Sequence, residues 1–356
     1  MKKLIITGGC GFIGTNACIK FIEAGYEVIA MDNLERKDVY KNLEYLQKTY
    51  KDKFKFIWGD VRNPIDIAKL PTDILGVIHA AANPGIPRSL EQPLYDFEVN
   101  AKGTLNMLNF VKDIKCPFIY TSTNKVYSDA INQVALIEGE MRFDIASVFD
   151  QIFIEGASDK GFSEVFPIDG AGEFPHSPYG CSKYTGDIYC QEFWHAYEVP
   201  TIINRQSCIG GKFQFGVSEQ GWISWFCQAK LFDKPLEIFG NGKQVRDILD
   251  GEDLASLFLY ELENSDIFRG KVFNVGGGLE NSISLLETIK YLDEKYADEY
   301  DNFKYEFKDW RLADHKLYIS DTTKIKKMGW KPQINAFQCI DRICEHIEHN
   351  LNMYNV

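Results

Sequence analysis

The chain has 356 residues, 45% of them apolar and 25% charged, with a formal net charge of −12 at pH 7. That length suits a nucleotide-binding domain plus a smaller lobe, and the ordinary composition excludes disordered and collagen-like classes. The acidic balance argues against a nucleic-acid partner, and no apolar run reaches the roughly 18 residues that a membrane span needs.

Taken in order, Lys3–Thr7 predicts a first buried strand. Its start has the look of a signal peptide, but glycines at 8, 9 and 11 interrupt the apolar stretch and no small-residue cleavage site follows. A helix is expected at Phe12–Ala24, a strand at Glu27–Asp32, a helix at Lys41–Tyr50, and strands at Phe54–Gly59 and Ile74–Ala80. A helix at Gln92–Lys112 and a strand at Pro117–Ser122 follow. From Ser128 to about Phe174 the chain is acidic, rich in Phe and Gly, and too long for a plain strand–helix connection. A lid, an oligomer contact and a small subdomain all fit that stretch. A helix at Tyr179–Tyr197 and a strand at Pro200–Arg205 complete the alternation. The fold class expected is α/β, a doubly wound, Rossmann-like parallel sheet with a smaller C-terminal α/β lobe. The expected boundaries are 1–205 for the dinucleotide domain, with the insertion 128–174 and a return at about 245–276. The substrate lobe takes 206–244 and 277–356.

The segment Thr7–Gly14 follows a strand and opens a helix, with glycines at 8, 11 and 14. Such a turn lets backbone approach a pyrophosphate, which then faces the amides of Phe12, Ile13 and Gly14 at the helix N-terminus. Asp32 ends the second strand, where a carboxylate can accept the adenosine ribose hydroxyls and repel a 2′-phosphate, so NAD is favoured over NADP. Arg36 and Lys37 read as exposed loop charges. Tyr179 and Lys183 stand one helical turn apart on one face. A cation about 4 Å from the phenol contributes on the order of 4 kcal/mol at an effective dielectric of 20. That predicts a phenol pKa lowered by roughly three units, toward the range of a base. The nine cysteines show no C-x-x-C pair and read as free thiols in a reducing, cytoplasmic setting. The six histidines show no metal spacing; His346 and His349 read as a solvated helix face.

These residues resemble the extended short-chain dehydrogenase/reductase family, in its NAD-dependent epimerase/dehydratase branch. The glycine spacing, Gly59-Asp60-Val61, His79-Ala80-Ala81-Ala82, Asn100, Tyr120–Tyr127 and Tyr179–Lys183 occur in the family's order. The resemblance implies a cofactor set of Gly8, Gly11, Phe12, Ile13, Gly14, Asp32, Asn33, Asp60 and Val61 for the adenosine and phosphates. Ala80, Ala81, Ala82, Asn100, Thr121, Tyr179 and Lys183 complete it. It also makes Thr123, Tyr179 and Lys183 the catalytic residues, with Thr123 and Asn124 against the sugar. Arg246, in Gly240–Asp247, and Arg311, in Arg311–Asp314, are expected to grip a nucleoside diphosphate.

Sugar-nucleotide 4,6-dehydratases resemble the Tyr120–Tyr127 segment but carry Asp-Glu where this chain has Asn124 and Lys125, so elimination is disfavoured. The match covers nearly the whole chain outside the insertion. Segments 122–127, 177–183, 220–227 and 240–247 resemble most closely enzymes that invert C2 of a CDP-deoxyhexose. Ser128, Gln206 and Asn83–Arg88 depart from the family pattern near the sugar and nicotinamide. The substrate expected is a nucleotide sugar, CDP-linked. The alternatives are a UDP-sugar 4-epimerase and a net dehydrogenase or reductase of the same family. Relatives pair through the helices matching Gln92–Lys112 and Tyr179–Tyr197, so a homodimer or homotetramer is expected, with no membrane partner.

Overall fold

In the computed structural model, which describes residues 2–146, 154–311 and 314–354, the chain opens with the predicted apolar strand. This strand, β1 (Lys3–Thr7), is buried from Leu4 onward. There follow α1 (Phe12–Glu23), β2 (Glu27–Asp32), α2 (Val39–Tyr50), β3 (Phe54–Trp58), α3 (Pro64–Ile67) and β4 (Val77–His79). Next come α4 (Ile86–Glu91), α5 (Pro93–Phe97), α6 (Gly103–Lys112) and β5 (Phe118–Thr123). The expected helix Gln92–Lys112 is one continuous helical run from Pro93 to Lys112, with a π-turn inside it. Gln92 leaves the helical region at φ −134°, Pro93 restarts the helix, and Glu98–Lys102 forms a π-turn before α6. Strand β4 is shorter than expected, starting at Val77 instead of Ile74 and ending at His79.

Two small hairpins, β6 (Leu136–Glu138) with β7 (Phe143–Ile145) and β8 (Ala157–Ser158) with β9 (Gly161–Phe162), precede α7 (Pro178–Tyr197) and β10 (Thr201–Gln206). The chain then runs through β11 (Cys208–Gly210), α8 (Trp222–Leu231), β12 (Leu236–Phe239), β13 (Val245–Asp250), α9 (Gly251–Glu263), α10 (Ser265–Phe268) and β14 (Lys271–Val275). It finishes with β15 (Ser282–Ser284), α11 (Leu285–Lys295), β16 (Tyr305–Lys308), β17 (Leu317–Tyr318), α12 (Thr323–Lys327), α13 (Ala336–His349) and α14 (Leu351–Tyr354).

The chain divides into two units. The first holds Met1–Val126, Ser177–Gln206 and Gly251–Phe273. Its seven-stranded sheet has the order β14-β10-β5-β4-β1-β2-β3, and the ladders from β3 through to β10 are parallel. The order reverses at β1, whose neighbours are β2 and β4. In a doubly wound sheet such a switch point, at the carboxyl edge, is where ligands bind. One core packs Ile5, Ile29 and Met31 with Val77, Met107, Phe118, Tyr120 and Ile203. His79 is buried among them, with Nδ1 against Thr7 Oγ1 at 2.7 Å and Nε2 against Thr104 Oγ1 at 3.1 Å. Burial holds its pKa down at about 3, so it is a neutral strut between β1, β4 and α6.

The second unit holds Tyr127–His176, Ser207–Asp250 and Asn274–Val356. The insertion thus belongs here and not, as expected, to the dinucleotide domain. Its aromatic residues make it so: Phe162 stacks on Tyr318 at 5.5 Å and edge-on to Phe166 at 5.0 Å, while Tyr127 donates to Asn274 Oδ1 at 2.7 Å. Arg142 adds hydrogen bonds to the Ser282 hydroxyl and carbonyl. Of the alternatives for this stretch, the described part is a small subdomain. The return to the first unit begins at Gly251, not near 245, because β13 pairs with β11, β15 and β17. Among the described residues no helix is long and apolar enough to cross a membrane. His346 is not solvated as expected; it packs edge-on to Phe213 at 4.5 Å.

Candidate functional site

Three loops at the carboxyl edge of the first sheet surround the glycine turn. Gly8 has φ +65°, and a Cβ there would stand 2.7 Å from Ala81 N; a Cβ at Gly14 would collide with the Gly8 carbonyl oxygen. Helix α1 starts at Gly11 with no side-chain cap, which leaves the amides of Phe12, Ile13 and Gly14 to a ligand. A small-residue cradle ending in an uncapped helix N-terminus fits the pyrophosphate of a dinucleotide. Asp32 is fixed beside it, accepting from Cys10 N at 3.0 Å on one oxygen and from Leu34 N at 2.8 Å on the other. Each oxygen retains a lone pair for a ribose hydroxyl. Arg36 and Lys37 are exposed, as expected.

Four expected cofactor residues have protein partners. The Asp60 carboxylate takes Arg62 Nε and the Arg62 amide on Oδ1, and Arg62 Nη2 and Asn33 Nδ2 on Oδ2. Those four bonds commit the Asp60 carboxylate to ordering the β3 loop. Asn33 is committed to that same loop, while Val61 is buried with its carbonyl held by Asn106. Asn100 is wholly buried: its oxygen accepts from Asn83 N, and its Nδ2 reaches Asn83 O, Asp96 and Ser182. It shapes the loop after β4, which carries Ala80, Ala81 and Ala82. The π-turn that sets its orientation has no signature in the sequence.

The catalytic candidates come together at the ends of β5 and α7. Ser177 caps α7, accepting from Gly180 N at 3.1 Å, and Pro178 occupies its first turn. Glycines bring the helix in close, since a Cβ at Gly180 would meet Lys125 O and one at Gly186 the Tyr120 hydroxyl. The Thr123 hydroxyl acts on the Tyr179 phenol and favours its ionised form, and Thr121 donates from the same strand to His79 O at 3.0 Å. Thr123 also contacts Asn124 Oδ1 at 3.4 Å, and both residues are buried.

The phenol pKa moves opposite to the expectation. It is pushed up to about 12, because desolvation of the hydroxyl end outweighs the effect of the Thr123 hydroxyl, and Asp96 adds a further rise. The reason is where the ammonium lies. Lys183 is buried, with Nζ 4.3 Å from the centroid of the Tyr120 ring, and burial brings its own pKa down to about 8. Two buried carboxylates temper that fall. Asp187 is paired with Arg205 Nε at 3.0 Å and accepts from Ser122 at 2.7 Å. Asp96 accepts from Asn83 Nδ2 at 2.7 Å and from the Ser182 hydroxyl. Sequence reasoning missed Asp96, Asp187 and Ser182; the only signals were the i, i+4 spacings Asp96–Asn100 and Lys183–Asp187.

In the second unit Arg246 pairs with Asp314, and Arg311 makes other contacts. Arg246 Nη2 lies 2.6 Å from Asp314 Oδ1, and Asp314 also acts on the Arg311 charge. The sequence neighbours Arg246 and Asp247 do not pair, for Asp247 takes Ser207 and Gly278 N instead. The Arg311 guanidinium sits 3.7 Å from the Phe239 ring centroid and donates to Ser218 O at 3.1 Å.

The NAD dependent epimerase/dehydratase family matches residues 4–142 and 158–276. The chain belongs to that family. The break in the match falls within the insertion. CDP-paratose 2-epimerase of Salmonella typhi is 37% identical over 346 residues, 94% of this chain and 96% of that protein. A putative UDP-glucose 4-epimerase of Methanocaldococcus jannaschii is 28% identical, over 98% of this chain and 99% of its own length. The fold agrees with the Bacillus cereus UDP-glucuronic acid 4-epimerase solved with UDP-glucuronic acid and NAD. The TM-score there is 0.78 at 24% identity, covering 98% of this chain and 99% of that one. The protein is an NAD-using enzyme of the isomerase class.

Proposed function

We propose that this family member is a nucleotide-sugar epimerase that inverts C2 of a CDP-linked deoxyhexose, of the CDP-paratose to CDP-tyvelose kind. The observation that carries the reading is the meeting of β5 with α7, which carries Tyr179 and buried Lys183. Strand β5 ends in buried Thr123 and is followed by Asn124 and Lys125 where a dehydratase would need carboxylates. NAD, when bound, supplies a reversible hydride acceptor, the chemistry that allows inversion through a keto sugar without net redox change. Proton handling belongs to the chain. Thr123 holds the reacting sugar hydroxyl, and the Tyr179 oxygen takes its proton and later returns it, with Lys183 one helical turn away on α7. Arg246, paired with Asp314, and Arg311 hold the diphosphate as planar donor forks.

The test is incubation with CDP-paratose and CDP-tyvelose in deuterated water without added NAD, followed by NMR of the sugar protons. Interconversion with no deuterium entering C2 is expected. Accumulation of NADH in proportion to product would make the enzyme a net dehydrogenase, and turnover confined to UDP-sugars would move the chemistry to C4.

The same reading includes self-association. Leu94 is 72% exposed and Phe97 50% on α5, beside Ile188 and Tyr189 at 40% and 41% on α7, which packs against it. An apolar surface of this kind supports a homodimer or larger assembly through these helices. Sedimentation as a monomer at micromolar concentration would rule that out. The free state of all nine cysteines supports a reducing, cytoplasmic setting.

A further inference from the structure

We propose that Glu35, Arg62, Arg88 and Tyr95 form a latch that closes over the bound dinucleotide and slows its release. The strand order β4-β1-β2 places the glycine turn after β1 between the loops that follow β4 and β2. Both loops touch that turn, one through Ala81 against Gly8, the other through Asp32, which accepts from Cys10 N. Farther out the same two loops join each other. Arg88, on α4, donates from Nη2 to Glu35 Oε1 at 2.8 Å. Arg62, from the β3 loop, comes within 3.5 Å of Glu35 Oε2. The Tyr95 ring lies against both guanidiniums, its centroid 4.4 Å from Arg88 and 4.9 Å from Arg62, and its hydroxyl is hydrogen-bonded to Glu35.

Chain therefore encircles the mouth of the turn that faces the pyrophosphate. A dinucleotide lying along this edge can leave only when the Glu35–Arg88 join opens. The join suits a latch and not a permanent weld, because both side chains are partly exposed and a surface ion pair is weak by itself. It also reaches the chemistry. Ser89, next to Arg88, accepts from Tyr179 N at 3.1 Å, so the helix that carries the latch braces the first turn of α7. An enzyme that returns its cofactor to the starting redox state in each cycle has no need to exchange it, and a latch serves that economy. The inference rests on NAD binding, not on the choice of sugar.

The test loads the full-length protein with radiolabelled NAD, chases with unlabelled NAD, and follows release for wild type, Glu35→Gln, Arg88→Gln and the double variant. Each single substitution is expected to speed release about fivefold, and the double variant no more than either alone. Added salt is expected to speed release from wild type but not from the double variant. NAD retained per protomer after purification gives an independent reading. Unchanged release in both single variants overturns the proposal, as do additive effects in the double. Acceleration in Arg88→Gln alone also overturns it, since that identifies Arg88 as a direct phosphate ligand. The salt dependence of wild-type release decides the matter should a variant fail to fold, a salt-independent rate refuting the latch.

Discussion

Tyr120 and Lys183 hold each other twice: the phenol donates to the Lys183 carbonyl oxygen at 3.1 Å, and the Lys183 ammonium lies 4.3 Å from the Tyr120 ring centroid. A buried cation that must serve a neighbouring phenol is thus supported by a second, non-catalytic aromatic ring. Tyr120→Phe keeps the ring and removes the hydrogen bond, so a stability loss of about 1 kcal/mol is expected in urea unfolding. Tyr120→Leu removes the ring as well, and a further loss of about 2 kcal/mol is expected for a desolvated cation. Equal losses in the two variants would show that the ring does nothing for the ammonium.

The Thr123 hydroxyl opposes the burial that raises the Tyr179 pKa. Its removal in Thr123→Ala sends that pKa higher still, so the acidic limb of the kcat/KM profile moves to higher pH. At neutral pH the rate is expected to fall roughly 10- to 100-fold, the worth of a hydrogen bond to a charged group. Thr123→Ser should restore both. A lowered rate with an unmoved limb would assign Thr123 to positioning of the sugar alone.

Glu261 on α9 is wholly buried and accepts from Asn204 Nδ2 at 2.8 Å, while Glu261 Oε1 and Asn204 Oδ1 have no hydrogen-bond partner. A proton on the carboxyl satisfies both leftover oxygens in an acid–amide ring, and desolvation pushes the Glu261 pKa up to about 8 to match. The folded pKa is above the unfolded one. Stability from this proton is complete below about pH 4.3 and declines as pH rises toward about 8, where the folded group ionises. Glu261→Gln mimics the protonated acid and lacks that slope. Urea unfolding between pH 5 and 8 should show wild type losing stability relative to Glu261→Gln, by at most about 1.4 kcal/mol per pH unit. Parallel curves would refute the protonated pair.

Gly14→Ala places a Cβ against the Gly8 carbonyl oxygen, which is backbone and cannot move aside cheaply. We expect at least a tenfold loss of NAD affinity, equivalent to about 1.4 kcal/mol, read by calorimetric titration. Gly85→Ala, where a Cβ meets nothing within 4 Å, is the matched control and should bind normally. Wild-type affinity in Gly14→Ala would mean that the turn is not where the cofactor binds.

Much of the first unit is legible one residue at a time. The strands β1, β2, β5 and β10 fall within one residue of their apolar runs, because a central strand covered on both faces leaves a continuous apolar signature. The π-turn inside the helix Pro93–Lys112 is not legible, since it alters hydrogen bonding without interrupting the helical run. The insertion offered no periodicity at all, and its place was set by Phe162 and Tyr127 finding partners far along the chain.

The sequence by itself determined the glycine turn, the position of Asp32 and the shared face of Tyr179 and Lys183, all fixed by local geometry over a few residues. Tertiary structure alone decided that Asp60 and Asn100 are committed to protein partners, that Arg246 pairs with Asp314 and not with Asp247, and that the Tyr179 pKa rises. The division follows from range. Backbone conformation is dictated by near neighbours, whereas desolvation and partner choice are sums over groups such as Asp96 and Ser182, 86 residues apart, that only the folded chain brings together.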